Sequence, residues 1–189
     1  MSNWITTPRA RASYVAVFEK RFNKLSKKEA YSIVMLFAPG TDLTQLQKAV
    51  EAKAQEAYGP NWRNRVKRLP IRKMEEKAVK DPTGKLVFPD GLMPGGHFIT
   101  ANSERVKPSV VDERMNQIDD PSQFYSGCYC RVSLRAFAYD YGVPGVSFGL
   151  GNVQRWGFGE SLTGRAAPEA TFDEIPDVEN GGVFDSEEV

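Results

Sequence analysis

Residues 124–141, FYSGCYCRVSLRAFAYDY, repeat with a period of two. After Gly127 the even positions are Cys128, Cys130, Val132, Leu134, Ala136 and Ala138, all small or apolar, as the inward row of a strand should be. The odd positions, Tyr129, Arg131, Ser133, Arg135, Phe137 and Tyr139, alternate rings with guanidinium groups. A long strand with one dry face and one aromatic-basic face suits a platform on which bases stack while cations meet phosphates. The same row would also serve a central strand covered on both sides, its rings in a second core and its arginines at the rim. Pattern alone leaves both readings open.

The rest of the chain supplies partners for that strand. Residues 9–22, RARASYVAVFEKRF, read as a first strand through Tyr14, Val15, Val17 and Phe18, and residues 31–37, YSIVMLF, as a second that Pro39-Gly40 ends. A helix follows, TDLTQLQKAVEAKAQEAYGP. Thr41 or Asp42 can cap its start, Leu43, Leu46, Val50, Ala54 and Ala57 form its apolar stripe, and Gly59-Pro60 stops it. Short strands are predicted at 97–101 and 109–111, and a glycine-interrupted one at 146–153, where Gly149 and Gly151 suggest a bend or a close backbone approach. Residues 77–88 are broken by the turn DPTG, residues 89–96 read as an irregular loop, and Asp119-Asp120-Pro121-Ser122 is a further turn. Many short strands, one good helix and glycine-marked corners predict a mainly β chain: an OB-fold, the five-stranded Greek-key barrel, with an inserted helix and loops.

Charge is unevenly placed. Residues 1–165 hold all 25 Lys and Arg and 16 of the 24 acids, a balance of +9. Residues 166–189 hold no base and the other eight acids, Glu169, Asp173, Glu174, Asp177, Glu179, Asp185, Glu187 and Glu188. Division at that point gives a basic domain, 1–165, and an acidic tail, 166–189, whose isolated anchors Phe172, Ile175 and Phe184 predict disorder. A basic body with an acidic tail suggests a domain that binds a polyanion, together with its mimic. Within the body, residues 61–74, NWRNRVKRLPIRKM, carry Arg63, Arg65, Lys67, Arg68, Arg72 and Lys73 with Trp62 and no acid. Arg105 and Lys107 add two more cations. A charge run is often just a solvated face, but one of a single sign beside an aromatic favours phosphate contact.

Catalytic patterns are few. The run Gly149 to Gln154 starts as a dinucleotide fingerprint would but lacks the third glycine and opens no helix, and no P-loop, nucleophile elbow or HExxH occurs. His97 is the single histidine, so a zinc site would need an unusual carboxylate-rich set. Cys128 and Cys130 face one way from one strand, too close in sequence for an ordinary bridge, and read as reduced, buried thiols. Asp112, Glu113, Asp119 and Asp120 could be imagined as a metal nuclease's ligands but read more simply as turn acids. No cofactor and no metal are called for. No apolar run approaches the roughly 18–20 residues of a membrane span, and residues 1–13 contain no signal-peptide core. That points to the cytoplasm.

Three blocks, HFITANSERVKPSVVDE, DPSQFYSGCYCRVSLRAFAYD and GVSFGLGNVQRWGFGESLTGRA, resemble the tailed-phage single-stranded DNA-binding proteins with an OB-fold core. The likeness runs over about residues 10–168 and is densest at 96–165. Trp156-Gly157-Phe158 departs from it, standing where a charged, polar turn is expected. The resemblance implies a non-catalytic protein that coats single-stranded DNA without sequence preference during phage replication or recombination, in the cytoplasm of the infected bacterium. Tyr129, Phe137 and Tyr139 are then the stacking candidates. Arg131 and Arg135, with Arg63, Arg65, Lys67, Arg68, Arg72, Lys73, Arg105 and Lys107, are the phosphate candidates. The tail, through Phe172, Asp173, Glu174, Ile175, Asp177, Phe184, Asp185, Glu187 and Glu188, is expected to compete with DNA and recruit a polymerase or helicase; oligomer formation is compatible with this reading. The alternatives are a replisome adaptor whose basic face binds an acidic protein, and a metal-dependent nuclease.

Overall fold

The computed structural model describes residues 3–23 and 27–163. The acidic tail, with its candidates Phe172, Asp173, Glu174, Ile175, Asp177, Phe184, Asp185, Glu187 and Glu188, lies outside the described residues. In chain order the elements are β1 (Ile5–Thr6), β2 (Ala10–Asn23), β3 (Lys28–Phe37), α1 (Thr44–Tyr58), α2 (Trp62–Arg65) and β4 (Arg72–Lys73). There follow β5 (Val79–Lys80), β6 (Leu86–Val87), β7 (His97–Ser103), β8 (Val110–Val111), β9 (Tyr129–Asp140) and β10 (Pro144–Gly157).

Five of these strands close on themselves. β2 pairs with β3 and β3 with β7, both antiparallel; β7 pairs with β10 in parallel; β10 and β9 are antiparallel; and β9 returns to β2. This is the OB-type barrel that the strand pattern predicted, closed so that its principal strands have few free edges. β1 and β8 extend it along β9 and β10, and β5 and β6 form a separate hairpin. The turn of that hairpin is set by Asp81, whose Oδ1 accepts from the backbone N–H groups of Thr83 at 2.8 Å and Lys85 at 2.9 Å.

The interior follows the period-two pattern. Ile33, Met35 and Phe37 from β3, Ile99 and Ala101 from β7, Cys130, Val132 and Leu134 from β9, and Val146 and Phe148 from β10 are all buried together. Each large side chain removed from water in this way contributes about 1.5–3 kcal/mol. Leu46, Val50 and Ala54 of α1 join the cluster where the helix packs on β9 and β10. Ala57, placed in the same stripe by its spacing, is exposed instead, and it is the next residue, Tyr58, that packs against the barrel at the end of the helix. The N-cap position falls on Leu43, which has no side-chain cap bond, so neither expected residue caps the helix; Asp42 Oδ1 instead accepts from Thr44 N at 2.9 Å as the chain turns into it.

A second, smaller core lies outside the barrel. Leu36 and Phe98, on adjacent strands, are covered by Met74, with Phe88, Leu92 and Leu162 around them. The connection 74–96, of which the sequence predicts only a turn within 77–88 and a loop at 89–96, therefore folds back over one part of the barrel's outer surface.

Candidate nucleic-acid interface

β9 presents two rows as its alternation predicts over most of its length. Cys128, Cys130, Val132 and Leu134 are buried, but Ala136 and Ala138 at the end of the inward row are only half-buried; in the outer row Arg131, Arg135 and Phe137 are exposed and Tyr129, Ser133 and Tyr139 half-buried. Directly opposite residues of an antiparallel pair share a face. The outer row therefore meets small residues of β10: Arg135 lies against Gly149, Phe137 against Ser147 and Tyr139 against Gly145. The glycines make room for rings. A methyl group at Gly145 would overlap the ring of Tyr139, and one at Gly151 would meet both Ser133 and the ring of Trp4. The expected bend is present too, since the β9–β10 register breaks between Leu150 and Val153.

Two grooves open along this face. The first, of about 980 Å³, is walled by Ser133, Arg135 and Phe137 of β9, by residues 149–152 of β10, by residues 102–107, and by Trp4. It brings Arg105 and Lys107 to the side of Arg135, whose guanidinium carbon sits 5.2 Å from the centre of the Trp4 ring. Phe137 is 43% exposed and Trp4 42%, large apolar surfaces left facing water inside a cationic rim.

The second groove, of about 750 Å³, brings Lys67, Arg68 and Arg72 around Tyr139, Thr100 and Ser147. Backbone pairing puts those cations there. Lys67 N donates to Pro144 O and Val146 N to Arg68 O, each at 3.1 Å, so that part of the segment is tied to the start of β10, while Arg72 in β4 pairs with Phe98 of β7. Arg72 is shared with Glu76 at 2.6 Å, an exposed pair worth little in itself. Between the grooves runs a ladder of rings. The Phe137 and Tyr139 centroids are 6.3 Å apart, and Tyr139 stacks on Tyr141 at 6.0 Å. The Tyr58 hydroxyl of α1 lies 2.6 Å from the carbonyl of Tyr139 and 3.1 Å from that of Gly145, fixing this rung from behind.

Other candidates lie elsewhere. Arg63 pairs with Glu51 at 2.9 Å and packs over Trp62, and Arg65 lies over Tyr58; both belong to the helical side and line neither groove. Lys73 also lines neither. Tyr129 is covered by Arg9 at 4.9 Å. Arg131 donates to Gln154 Oε1 at 2.7 Å and borders a smaller hollow with Glu113, Arg155 and Trp156. Trp156, in the block that departs from the resemblance, is 51% exposed there and still belongs to β10, which runs to Gly157 in place of the polar turn.

Sequence reasoning passes over Trp4, Tyr141 and Trp156. Tyr141 continues the odd row of β9 and is findable by parity. Trp4 is not, because only the pairing of Ile5 with Leu134 carries it to the groove.

The acids of the nuclease alternative serve local structure. Asp112 Oδ1 accepts from Arg114 N and Asn116 N at 2.8 Å each, Asp120 Oδ1 accepts from Ser122 N at 2.8 Å, and Glu113 holds Arg155 at 2.9 Å. The side-chain bond from Asn116, the backbone bond from Ser122 and the Arg155 guanidinium hold Asp112, Asp120 and Glu113 respectively below the ordinary carboxylate range. Among the described residues no group of three or more His, Cys, Asp or Glu is gathered as a metal site. Both cysteines are free and buried, and burial pushes their thiols up.

A family model described as Enterobacter phage Enc34, ssDNA-binding protein, matches residues 3–182. Protein p50 of Acyrthosiphon pisum secondary endosymbiont phage 1 is 24% identical over 175 residues, covering 89% of this chain and 90% of that protein. Among solved structures, the single-stranded DNA-binding protein from bacteriophage Enc34 in complex with ssDNA is similar with a TM-score of 0.63. The match has 16% identity and covers 84% of this chain and 89% of that one. The gp2.5 single-stranded DNA-binding protein encoded by bacteriophage T7 matches with a TM-score of 0.57 and 14% identity, over 87% and 97% of the two chains. At these identities the likeness to the solved structures is one of fold.

Proposed function

This chain belongs to the family of the Enterobacter phage Enc34 ssDNA-binding protein, and we propose from that premise that the open face of its barrel binds single-stranded DNA. The observation that carries the reading is the first groove, where Arg135, Arg105 and Lys107 surround the exposed rings of Phe137 and Trp4. Every base has a π-face and every nucleotide a phosphate, so rings beside cations hold a strand without reading its sequence. Phe137, Tyr139 and Tyr141 are the stacking rungs, and Arg135, Arg105, Lys107, Lys67, Arg68 and Arg72 the phosphate contacts. Stacking and counterion release draw on no cofactor. A protein of this kind keeps phage DNA unpaired for replication or recombination inside the infected cell.

The acidic segment 166–189 completes the proposal. Its eight acids oppose a body of +9. Tethering makes their competition with phosphates intramolecular, at an effective concentration near the millimolar range for a short flexible linker. DNA would displace the segment and free Phe172, Ile175 and Phe184 to recruit a replication protein.

Titration of the full-length protein with a fluorescent oligonucleotide at moderate salt tests the central claim. Binding that weakens with salt is expected. No binding to bare DNA, with retention of an acidic replisome protein, would favour the adaptor reading, and cleavage of the oligonucleotide with Mg²⁺ would favour a nuclease. Deleting 166–189 should tighten DNA binding most at low salt, where screening is weakest; equal affinity across the salt series would end the competition model.

A further inference from the structure

The outer row of β9 runs on past the first groove. The floor of that groove reaches Ser133 and Asn152, where Asn152 N donates to Ser133 Oγ at 2.7 Å. The next outward rung of the same two strands is Arg131 opposite Gln154, and Trp156 follows on that face. With Glu113 and Arg155 these three line the small hollow of about 250 Å³. β1 widens the floor beside β9 and β8 widens it beside β10, so groove and hollow are neighbours on one continuous sheet surface. From Phe137 to Arg131 is about 20 Å along the strand, at about 3.3 Å per residue.

The chemistry of the groove recurs in the hollow. The guanidinium carbon of Arg131 lies 5.8 Å from the centre of the Trp156 ring, as that of Arg135 lies 5.2 Å from the Trp4 ring. Gln154 fixes this cation, its Oε1 accepting from Arg131 Nε at 2.7 Å while its Nε2 donates to Asp112 O at 3.1 Å. Among the described residues Arg131 pairs with no carboxylate. The acids nearby are engaged, Glu113 with Arg155 and Asp112 within its own turn. Arg9, over Tyr129, adds an exposed cation one rung further. A protein contact is the rival account. Exposed Met115 and Phe158 stand close by, and aromatic residues, methionine and arginine are enriched in protein interfaces. Continuity with the groove and the repeated pairing of ring and cation favour nucleic acid.

We infer that this hollow seats one further base of the DNA strand held in the first groove. The base stacks on Trp156 and its phosphate meets Arg131, which Gln154 holds in position. At a volume below the roughly 300–1,000 Å³ of a small-molecule pocket, the hollow takes one ring at a time. The inference rests on the groove being the single-stranded DNA site.

The test uses full-length protein and oligothymidylates of graded length, bracketing the roughly 4–16 nucleotides that one OB-fold holds. Trp156→Ala is expected to bind the shortest oligonucleotides as wild type does and long ones roughly tenfold more weakly. Trp156→Phe should recover most of that loss, because any aromatic ring offers a stacking face. Arg131→Ala should make the salt slope on long DNA shallower by about 0.7, for one phosphate no longer neutralised. Wild-type affinity of Trp156→Ala at every length would overturn the inference and, if the variant also runs at a lower mass than wild type, assign the patch to a protein contact. A loss equal at all lengths would overturn it too, since the hollow would then not be separable from the groove. So would equal losses for Trp156→Ala and Trp156→Phe, because stacking would not be what the residue supplies. Failure of the wild type to bind any length would instead remove the groove reading itself.

Discussion

On the outer side of β3 and β7, Leu36 and Phe98 are 5% and 4% exposed beneath Met74, Phe88, Leu92 and Leu162. On the outer side of β9, Phe137 is 43% exposed and Tyr141 87%. Both surfaces belong to one barrel and both carry large apolar side chains, so residue type does not separate them. Cover does. The connection 74–96 is latched over the first surface, with Met74 N donating to Gly96 O at 3.0 Å and Gly95 N to Glu75 Oε1 at 2.6 Å. Among the described residues nothing comparable lies over the second, where the neighbouring chain supplies cations instead. The same kind of surface is a core in one place and an open face rimmed by cations in the other.

Substitutions can test that division. Met74→Ala, in the covered half, should cost about 2–5 kcal/mol of stability, read as a lower melting temperature, while each folded molecule still binds oligonucleotide normally. A matching loss of affinity in the folded protein would show that the covered half belongs to the interface. Phe137→Ala, in the open half, should behave in reverse, weakening binding by about 1–3 kcal/mol with little change in melting. Early melting with normal binding would make Phe137 part of a second core.

Gly145→Ala probes how the open half seats its rings. Displacing Tyr139 should cost about 1 kcal/mol of binding, and the effect should vanish when Tyr139 is already Ala, because the two residues act through one contact. Additive losses would show that Gly145 matters for another reason. The smallest contrast is between cations. Reversing Arg68 and Arg72 to Glu should flatten the salt dependence by about 0.7 for each phosphate left without its cation, whereas Arg63→Ala with Arg65→Ala should leave the slope unchanged. A slope altered by the second pair would extend the interface onto the helical side.

Much of this is legible in the residues. The alternation through Leu134 and Phe137 marks the dry and wet rows of β9, and the runs at β2, β3, β7 and β10 are enough to suggest the barrel. Gly149 and Gly151 mark the bulge beside the groove. Parity cannot tell which outer surface will be covered, because that depends on where residues 74–96 fold, and their short strands leave no periodic signal. The basic run 61–74 reads as one surface in the sequence. Helix α2 divides it, turning Arg63 and Arg65 toward Glu51 and Tyr58 while Lys67 and Arg68 follow β10 and Arg72 pairs alongside β7, all three lining the second groove. Trp4 is invisible because a two-residue strand has too few positions to show a period.

The pairing of Ile5 with Leu134, and the closure of the ring by β10 against both β9 and β7, have a consequence for how the protein is made. A ribosome adding about 5–20 residues per second releases Trp4 long before β9, the strand that holds its neighbour Ile5 in place. Until β9 and β10 emerge, the β2–β3–β7 meander has no closing partners, and pairings so distant along the chain form slowly. The wall formed by Trp4 is synthesised before β9 and β10 and put in place only after them, so the groove takes shape in one step once β10 has emerged.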